Sequence, residues 1–398
     1  MHIILFDTDL RDTLLPFTHT RPVCELRVGI LTIREKWEKM CGTTSISYIT
    51  TEHLEPLYPI SIHEDNYLIN GAALPSQAFI EVIKSLNSGE ALMLRGELVA
   101  ARLSKSNFEK LLVKQDSADL VGFEIDPDIV NLLDALPKYT EISRDQILAD
   151  MEMLGQIDAV PQQVEVLGNH PVYIDPEASV ERAWVNAKDG PIYVGPGALI
   201  MDGAKLRGPV SIGANSIVKS HAFLSKGTCI GPYCEVGGEV KQSVMLGYSN
   251  KSHEGYLGDS VVGEWCNLGA LTSNSNLRNT FSEIKSWNYQ TEQMDSLGKR
   301  KCGFFMGDYS RTAILTQINS GAVIGISCHV FGAETITSFI PSFTWGNQDH
   351  PVEYQLEKAI DAISIFRSFK GASTGDELRD LLTRIFKMTG IYRSKHTA

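Results

Sequence analysis

The chain has 398 residues, enough for two or three domains at about 100–200 residues each. Hydrophobic residues make up 43% and charged residues 21%, a globular balance that excludes extensive disorder. A net charge of −12 excludes a broad electrostatic grip on nucleic acid, and no run reaches the roughly 18 apolar residues that would insert in a membrane.

The opening Met1-His2-Ile3-Ile4-Leu5-Phe6 lacks a basic leader and reads as a first strand, not a signal peptide. Asp7-Thr8-Asp9-Leu10-Arg11-Asp12 follows as a polar loop. Ile33 and Trp37 share a helical face within Ile30 to Met40, Tyr67 to Gly71 reads as strand then turn, Phe79 to Lys84 as helix and Ala91 to Leu94 as strand. This alternation predicts an α/β domain over 1–165 with a mainly parallel sheet. Ligands of such sheets sit at the carboxyl ends of the strands, which points to the loops after Phe6 and Ile69. Ser143 to Met153 predicts a connecting helix with Ser143 as its N-cap.

The next stretch has a different period. Stepping by six from Val194 gives Ile200, Leu206, Ile212, Val218, Leu224, Ile230 and Val236, all aliphatic, with small or β-branched residues four positions after each. A helix of 3.6 residues per turn would smear this repeat around its surface. Hexads suit a parallel β-helix of three short strands per coil, with the aliphatic residue pointing inward. The phase slips by two and resumes as Val244, Asn250, Tyr256, Val262, Leu268 and Asn274. It breaks over roughly 279–305, a loop thrown out of a coil, and returns at Met306, Thr312, Ile318, Ile324 and Val330. Ile174 and Val180 are an earlier fragment, so the β-helix domain is placed at 166–340. Asn250 and Asn274 interrupt the aliphatic slots, either as a bulge where the loop leaves or as part of a functional site.

Residues 341–398 form a helical tail: Val352, Leu356, Ile360, Ile363 and Phe366 share one face, and Leu378, Leu381, Leu382 and Ile385 another. These faces must be buried on the end of the solenoid or on a neighbouring subunit. The seven cysteines contain no C-x-x-C pair, and an odd count without a leader fits reduced thiols in the cytoplasm.

The densest polar stretch is Asn250 to Asp259, followed by Asn267 to Asn276. His253 lies three residues after an inward slot and projects outward, where an imidazole can act as a general base or can simply bond a neighbouring loop. His253-Glu254-Gly255-Tyr256-Leu257-Gly258-Asp259 and Asn267-Leu268-Gly269-Ala270-Leu271-Thr272 resemble the pattern H-x-x-Y-L/I-G-D, then N-L/I-G-A-G-T, of the acetyltransferase half of the GlmU-like family. Leu271 replaces the second glycine of that pattern. The resemblance implies a left-handed parallel β-helix that acetylates glucosamine-1-phosphate with acetyl-CoA. It implies His253 as general base, Tyr256, Asn267 and Lys241 as sugar-phosphate ligands, and Asn276 as an acetyl-CoA contact. It places a further sugar-phosphate lysine in the long loop, at Lys285 with Lys299 and Lys301 as alternatives, and it implies a homotrimer.

Leu5-Phe6-Asp7, Arg11 and Leu14-Leu15-Pro16-Phe17-Thr18-His19-Thr20-Arg21-Pro22 resemble the opening of sugar nucleotidyltransferases, with Asp7, Thr8 and Asp9 in place of the glycine loop. Ile69-Asn70-Gly71-Ala72 has Ala72 where that family carries a metal-binding Asp. Pro16 to Trp37 resembles a divergent bacterial branch of the bifunctional enzyme. The resemblance implies a Rossmann-like domain in which Arg11 and Arg21 meet phosphate and Asp7 and Asp9 meet Mg²⁺. The function implied is a UDP-N-acetylhexosamine made from hexosamine-1-phosphate, acetyl-CoA and UTP or another NTP. The alternatives are a single-activity nucleotidyltransferase with a scaffold β-helix, and a non-catalytic sugar-nucleotide-binding protein. The assayed discriminator is acetyl transfer dependent on His253.

Overall fold

Ile3 to Phe6 form the buried strand β1 (His2–Phe6) of a computed structural model that describes residues 1–114 and 120–396. Chain contacts divide it into two units: residues 1–14, 20–26 and 31–135 in the first, and 15–19, 27–30 and 136–398 in the second.

In the first unit, α1 (Ile33–Cys41) starts at a capping box in which Thr32 and Glu35 satisfy each other's backbone N–H groups, and it buries Ile33 and Trp37. It is followed by β2 (Ile46–Ile49), β3 (Asp65–Asn70), α2 (Gln77–Ser85), β4 (Glu90–Leu94), β5 (Glu97–Ser104), α3 (Lys105–Lys114) and β6 (Val121–Glu124). The sheet order is β2-β1-β3-β5-β4-β6. Pairs β1/β2, β1/β3 and β4/β6 are parallel, but β5 runs antiparallel to both β3 and β4. The sheet is therefore mixed where the sequence pattern predicts mainly parallel. The cause is the turn at Arg95 and Gly96, whose φ values of 53° and 82° are those of a type I′ hairpin.

The second unit opens with α4 (Tyr139–Leu154). Ser143 is not its N-cap but a buried residue one turn inside, where its carbonyl accepts the Cys229 thiol at 3.6 Å. The helix starts earlier because Tyr139 is fully buried and donates its hydroxyl to the Arg27 carbonyl at 2.9 Å.

The rest of the unit is a parallel β-solenoid of three faces, with short strands from Val166–Gly168 to Thr344–Gly346. Val194, Ile200, Leu206, Ile212, Val218, Leu224, Ile230 and Val236 all point into one continuous core. Ile212 stacks on Val194, Val218 on Ile200 and Leu224 on Leu206, eighteen residues apart as three hexads require. The register then tightens. Val240 stacks on Leu224, Met245 on Ile230 and Lys251 on Val236. The inward residues of this coil are thus Met245, Lys251 and Leu257, each one position after the expected Val244, Asn250 and Tyr256. Val244-Met245 and Tyr256-Leu257 are both apolar pairs, so hydrophobicity alone does not choose between neighbours.

Val262, Leu268 and Asn274 resume the inward line. Asn274 fills its slot by bonding the Gly258 N–H at 2.8 Å and the Gly258 carbonyl at 2.9 Å, so its amide continues the ladder where the strand stack is interrupted. The excursion that follows is an antiparallel hairpin of Lys285–Asn288 and Gln293–Ser296, with Trp287 stacked on Phe339 at 4.4 Å. The tail packs against successive coils of the solenoid: Arg311 donates to the Ala362 carbonyl, Phe366 meets Trp265 and Lys370 reaches Tyr233 and Asn250. Helix α5 (Leu356–Ser368) buries Ala359, Ile360 and Ile363, and α6 (Asp376–Met388) buries Leu381, Leu382 and Ile385. Arg393, in α7 (Gly390–His396), lies over the rings of Phe343 and Phe386. Val352 is not on the α5 face; it sits on a two-residue strand and is 60% exposed. Among the described residues no helix is long and apolar enough to cross a membrane.

Candidate functional site

Past the inward Lys251 the chain turns a corner at Ser252 to Gly255 before re-entering the solenoid wall at Tyr256–Gly258. His253 and Glu254 are exposed on this corner. The corner is closely packed against its neighbours. A Cβ at Gly237 would lie 2.5 Å from the Ser252 carbonyl oxygen, and one at Gly238, whose φ is +71°, 2.6 Å from the Gly255 carbonyl oxygen. From the following coil, the Leu271 N–H donates to the Glu254 carbonyl at 2.9 Å, and the Tyr256 N–H donates to Ser273 Oγ at 3.1 Å. Glycines below and hydrogen bonds above hold the His253 turn between two coils.

Beside the corner, one solenoid face gathers charged and polar groups. Lys241 stacks in register beneath Gly258, and Glu239 beneath Tyr256. A side chain at Gly258 would take the place of the Tyr256 hydroxyl, so glycine there lets the phenol fold along the wall. Asn276 Nδ2 donates to the Tyr256 hydroxyl at 3.0 Å and to the Asp259 carboxylate. Burial pushes the Asp259 carboxyl above its ordinary pKa, opposed by the Asn276 hydrogen bond and by the cations Lys241 and Lys301. Burial likewise raises the Tyr256 phenol to about 12, so it stays a hydroxyl at neutral pH. The face offers an anion Lys241, Lys301 and the Tyr256 phenol, with the Asp259 carboxylate and the Asn276 amide bonded to each other beside them.

Tyr256, Asn276 and Lys241 thus come together. Asn267 pairs in register with Asn250 on a neighbouring face, and Asn250 accepts from Lys370 Nζ at 2.9 Å. Lys285 is exposed on the hairpin, paired across it with Ser296. Lys299 is committed elsewhere, to the Pro137 carbonyl at 3.0 Å and the Glu141 carboxylate at 2.9 Å. Lys301, next to Cys302 whose N–H donates to the Asn276 carbonyl, is the loop lysine that acts on Asp259. Asp259 closes the motif without a spacing signal of its own, and Lys251 is hidden because the spacing runs one residue out of phase with the strand register.

In the first unit, the loops after β1 and β3 meet: the Gly71 N–H donates to the Phe6 carbonyl at 2.7 Å. Asp7 sits between them with its side chain 4% exposed. Its Oδ1 accepts from the Val23 N–H at 3.0 Å and its Oδ2 from the Thr50 hydroxyl at 2.6 Å, with Arg11 Nε at 3.8 Å. Burial raises its pKa despite those bonds. Both oxygens are engaged in joining three chain segments, so Asp7 does not fit a divalent cation. Asp9 is exposed in the following turn, Arg11 also bonds Asp12 at 3.0 Å, and Arg21 is buried. Among the described residues no three His, Cys, Asp or Glu side chains converge as a metal site.

Residues 3–157 match the sugar nucleotidyl transferase family. A bifunctional sugar-1-phosphate nucleotidylyltransferase/acetyltransferase of Sulfurisphaera tokodaii is 35% identical over 394 aligned positions, spanning 80% of this chain and 93% of that protein. The bifunctional protein GlmU of Methanocaldococcus jannaschii is 30% identical over 33% of this chain and 31% of its own length. That of Synechococcus elongatus is 26% identical over 57% of this chain and 47% of its own length.

Proposed function

Because the chain belongs to the GlmU-like family of bifunctional sugar-1-phosphate nucleotidylyltransferase/acetyltransferases, we propose that it makes a UDP-N-acetylhexosamine from hexosamine-1-phosphate, acetyl-CoA and UTP. The observation that carries the acetyl-transfer half is the exposed His253 turn beside the Lys241, Tyr256, Asp259, Asn276 and Lys301 face. The sugar phosphate would lie against Lys241 and Lys301, which supply charge-assisted hydrogen bonds. The sugar amine would face His253. As its nitrogen forms the bond to the acetyl carbon, the carbon–sulfur bond breaks and the electron pair leaves with the CoA thiolate, while the imidazole takes the amine proton.

In the nucleotidyl half, Arg11 and Arg21 would meet the nucleotide phosphates. Mg²⁺ keeps several waters and needs only one or two carboxylates when it travels with phosphate. The exposed Asp9 would meet it, and no step runs through Asp7. A homotrimer and a cytoplasmic location complete the reading, the latter supported by seven cysteines of which none is paired. The test is purified protein with glucosamine-1-phosphate, acetyl-CoA, UTP and Mg²⁺, each product followed separately. Both products are expected; no acetylated sugar at any concentration would remove the β-solenoid half of the proposal.

A further inference from the structure

Lys251 occupies an inward slot of the solenoid, stacked on Val236, where the four preceding coils carry Val180, Ile200, Val218 and Val236. It is 2% exposed. Its ammonium donates to the Gly237 carbonyl at 3.0 Å and to the His253 carbonyl at 2.8 Å. The first belongs to the coil below and the second to the exposed turn itself, so a single side chain bridges the two from inside. At the same corner Gly237 and Gly238 allow the two backbones to approach closely.

We propose that Lys251 is a positioning residue for acetyl transfer, its buried head group fixing the turn from which His253 projects. The assignment rests on His253 being the general base. A core needs no cation here: an aliphatic side chain would pack the slot as Val236 does, and burying a charge is costly unless it is fully hydrogen-bonded. Burial indeed brings the Lys251 ammonium down to about 8, with Glu254 working the other way. What a cation adds is direction. Two carbonyls, one from each of two stacked coils, face the Lys251 ammonium, and buried carbonyls require donors. The ammonium supplies both from one centre and so sets the separation of Gly237 and His253. A general base works only within hydrogen-bond reach of its proton, and a displacement of about 1 Å can cost about 10²-fold in rate. Lys251 thus acts through the backbone of His253 and touches no substrate in this account.

The test compares K251M, K251Q and H253A in the full-length protein, with glucosamine-1-phosphate and acetyl-CoA for one reaction and UTP with N-acetylglucosamine-1-phosphate for the other. K251M fills the slot without a donor. It is expected to lower acetyl-transfer kcat by about 10–100-fold, leave the sugar KM within about twofold, and leave nucleotidyl transfer close to wild type. K251Q keeps an amide NH2 but is shorter than lysine and cannot reach both carbonyls, and its kcat is expected to fall between K251M and wild type. Should K251M not fold, K251Q is held to the same two criteria of lowered kcat and unchanged KM. Wild-type acetyl-transfer kcat in the folded variant, or an equal loss in both reactions, overturns the proposal. If H253A is impaired and K251M is not, Lys251 alone is misassigned; if H253A acetylates normally, the base assignment itself has failed.

Discussion

Asn276 reaches back seventeen residues to donate to the carboxylate of Asp259, and the same amide nitrogen donates to the Tyr256 hydroxyl at 3.0 Å. One side chain from an upper coil thereby sets the position of two polar groups on the coil beneath it. The Asp259 carboxylate is held in a mostly buried place in which its charge is disfavoured by desolvation, and the amide and the two lysines only partly offset this.

Asp259→Asn should therefore stabilise the protein at neutral pH while reducing acetyl transfer. The folded state holds the Asp259 proton more tightly than the unfolded chain, whose value is near 3.8. The stability this contributes is fully present below that value and is lost as pH rises through the raised folded pKa. Thermal melts across pH should show this decline in wild type and a flatter profile in D259N. Parallel profiles with an unchanged Tm at pH 7 would show that Asp259 carries no such strain.

Lys301 and Lys285 separate cleanly by variant. Lys301→Ala should raise the KM for glucosamine-1-phosphate by about 10-fold or more, the effect of losing one charge-assisted hydrogen bond. Lys285→Ala, on the exposed hairpin, should leave it within about twofold. Steady-state kinetics of the two variants decide it, and the reverse ranking would return the phosphate site to Lys285.

Asp7 and Asp9 should also part ways. Asp7→Ala leaves the Val23 N–H and the Thr50 hydroxyl without their acceptor and should cost about 1–3 kcal/mol of stability. Asp9→Ala should raise the Mg²⁺ concentration needed for half-maximal nucleotidyl transfer. Denaturant melts and a metal titration of both variants check this. A raised Mg²⁺ requirement in D7A at unchanged stability would restore Asp7 to a metal role.

Leu206→Ala removes a fully buried side chain stacked between Val185 and Leu224. It should destabilise by about 2–5 kcal/mol, read by chemical denaturation. A cost under about 0.5 kcal/mol would contradict the inward assignment.

The solenoid was legible because six residues per strand and corner leave a period that no helix shares, and Val194 to Val236 keep it unbroken. After Val236 the period is lost, because a tightened corner at Gly237-Gly238 shortens the coil. Spacing then places Asn250 inward, whereas strand register places Lys251 there. Only pairing between coils, which one sequence does not display, distinguishes the two. The polar face was legible in part. Tyr256, Asn276 and Lys241 meet because the coil stacks residues distant in sequence, but the hairpin between Ser275 and Phe304 breaks that arithmetic, so Lys301 could not be told from Lys285 or Lys299. In the first unit, Asp7 follows a strand as a metal ligand would, and only its two hydrogen bonds show that it serves as a clasp between segments.

The most direct test of the account is the acetyl-transfer rate of H253A. A neutral imidazole is well matched to take the proton from the attacking amine at neutral pH. Its loss should lower kcat by about 10²–10⁴-fold, with the sugar KM little changed and nucleotidyl transfer intact. Acetylation by H253A at the wild-type rate would contradict the account and leave the solenoid as a scaffold for the nucleotidyltransferase unit.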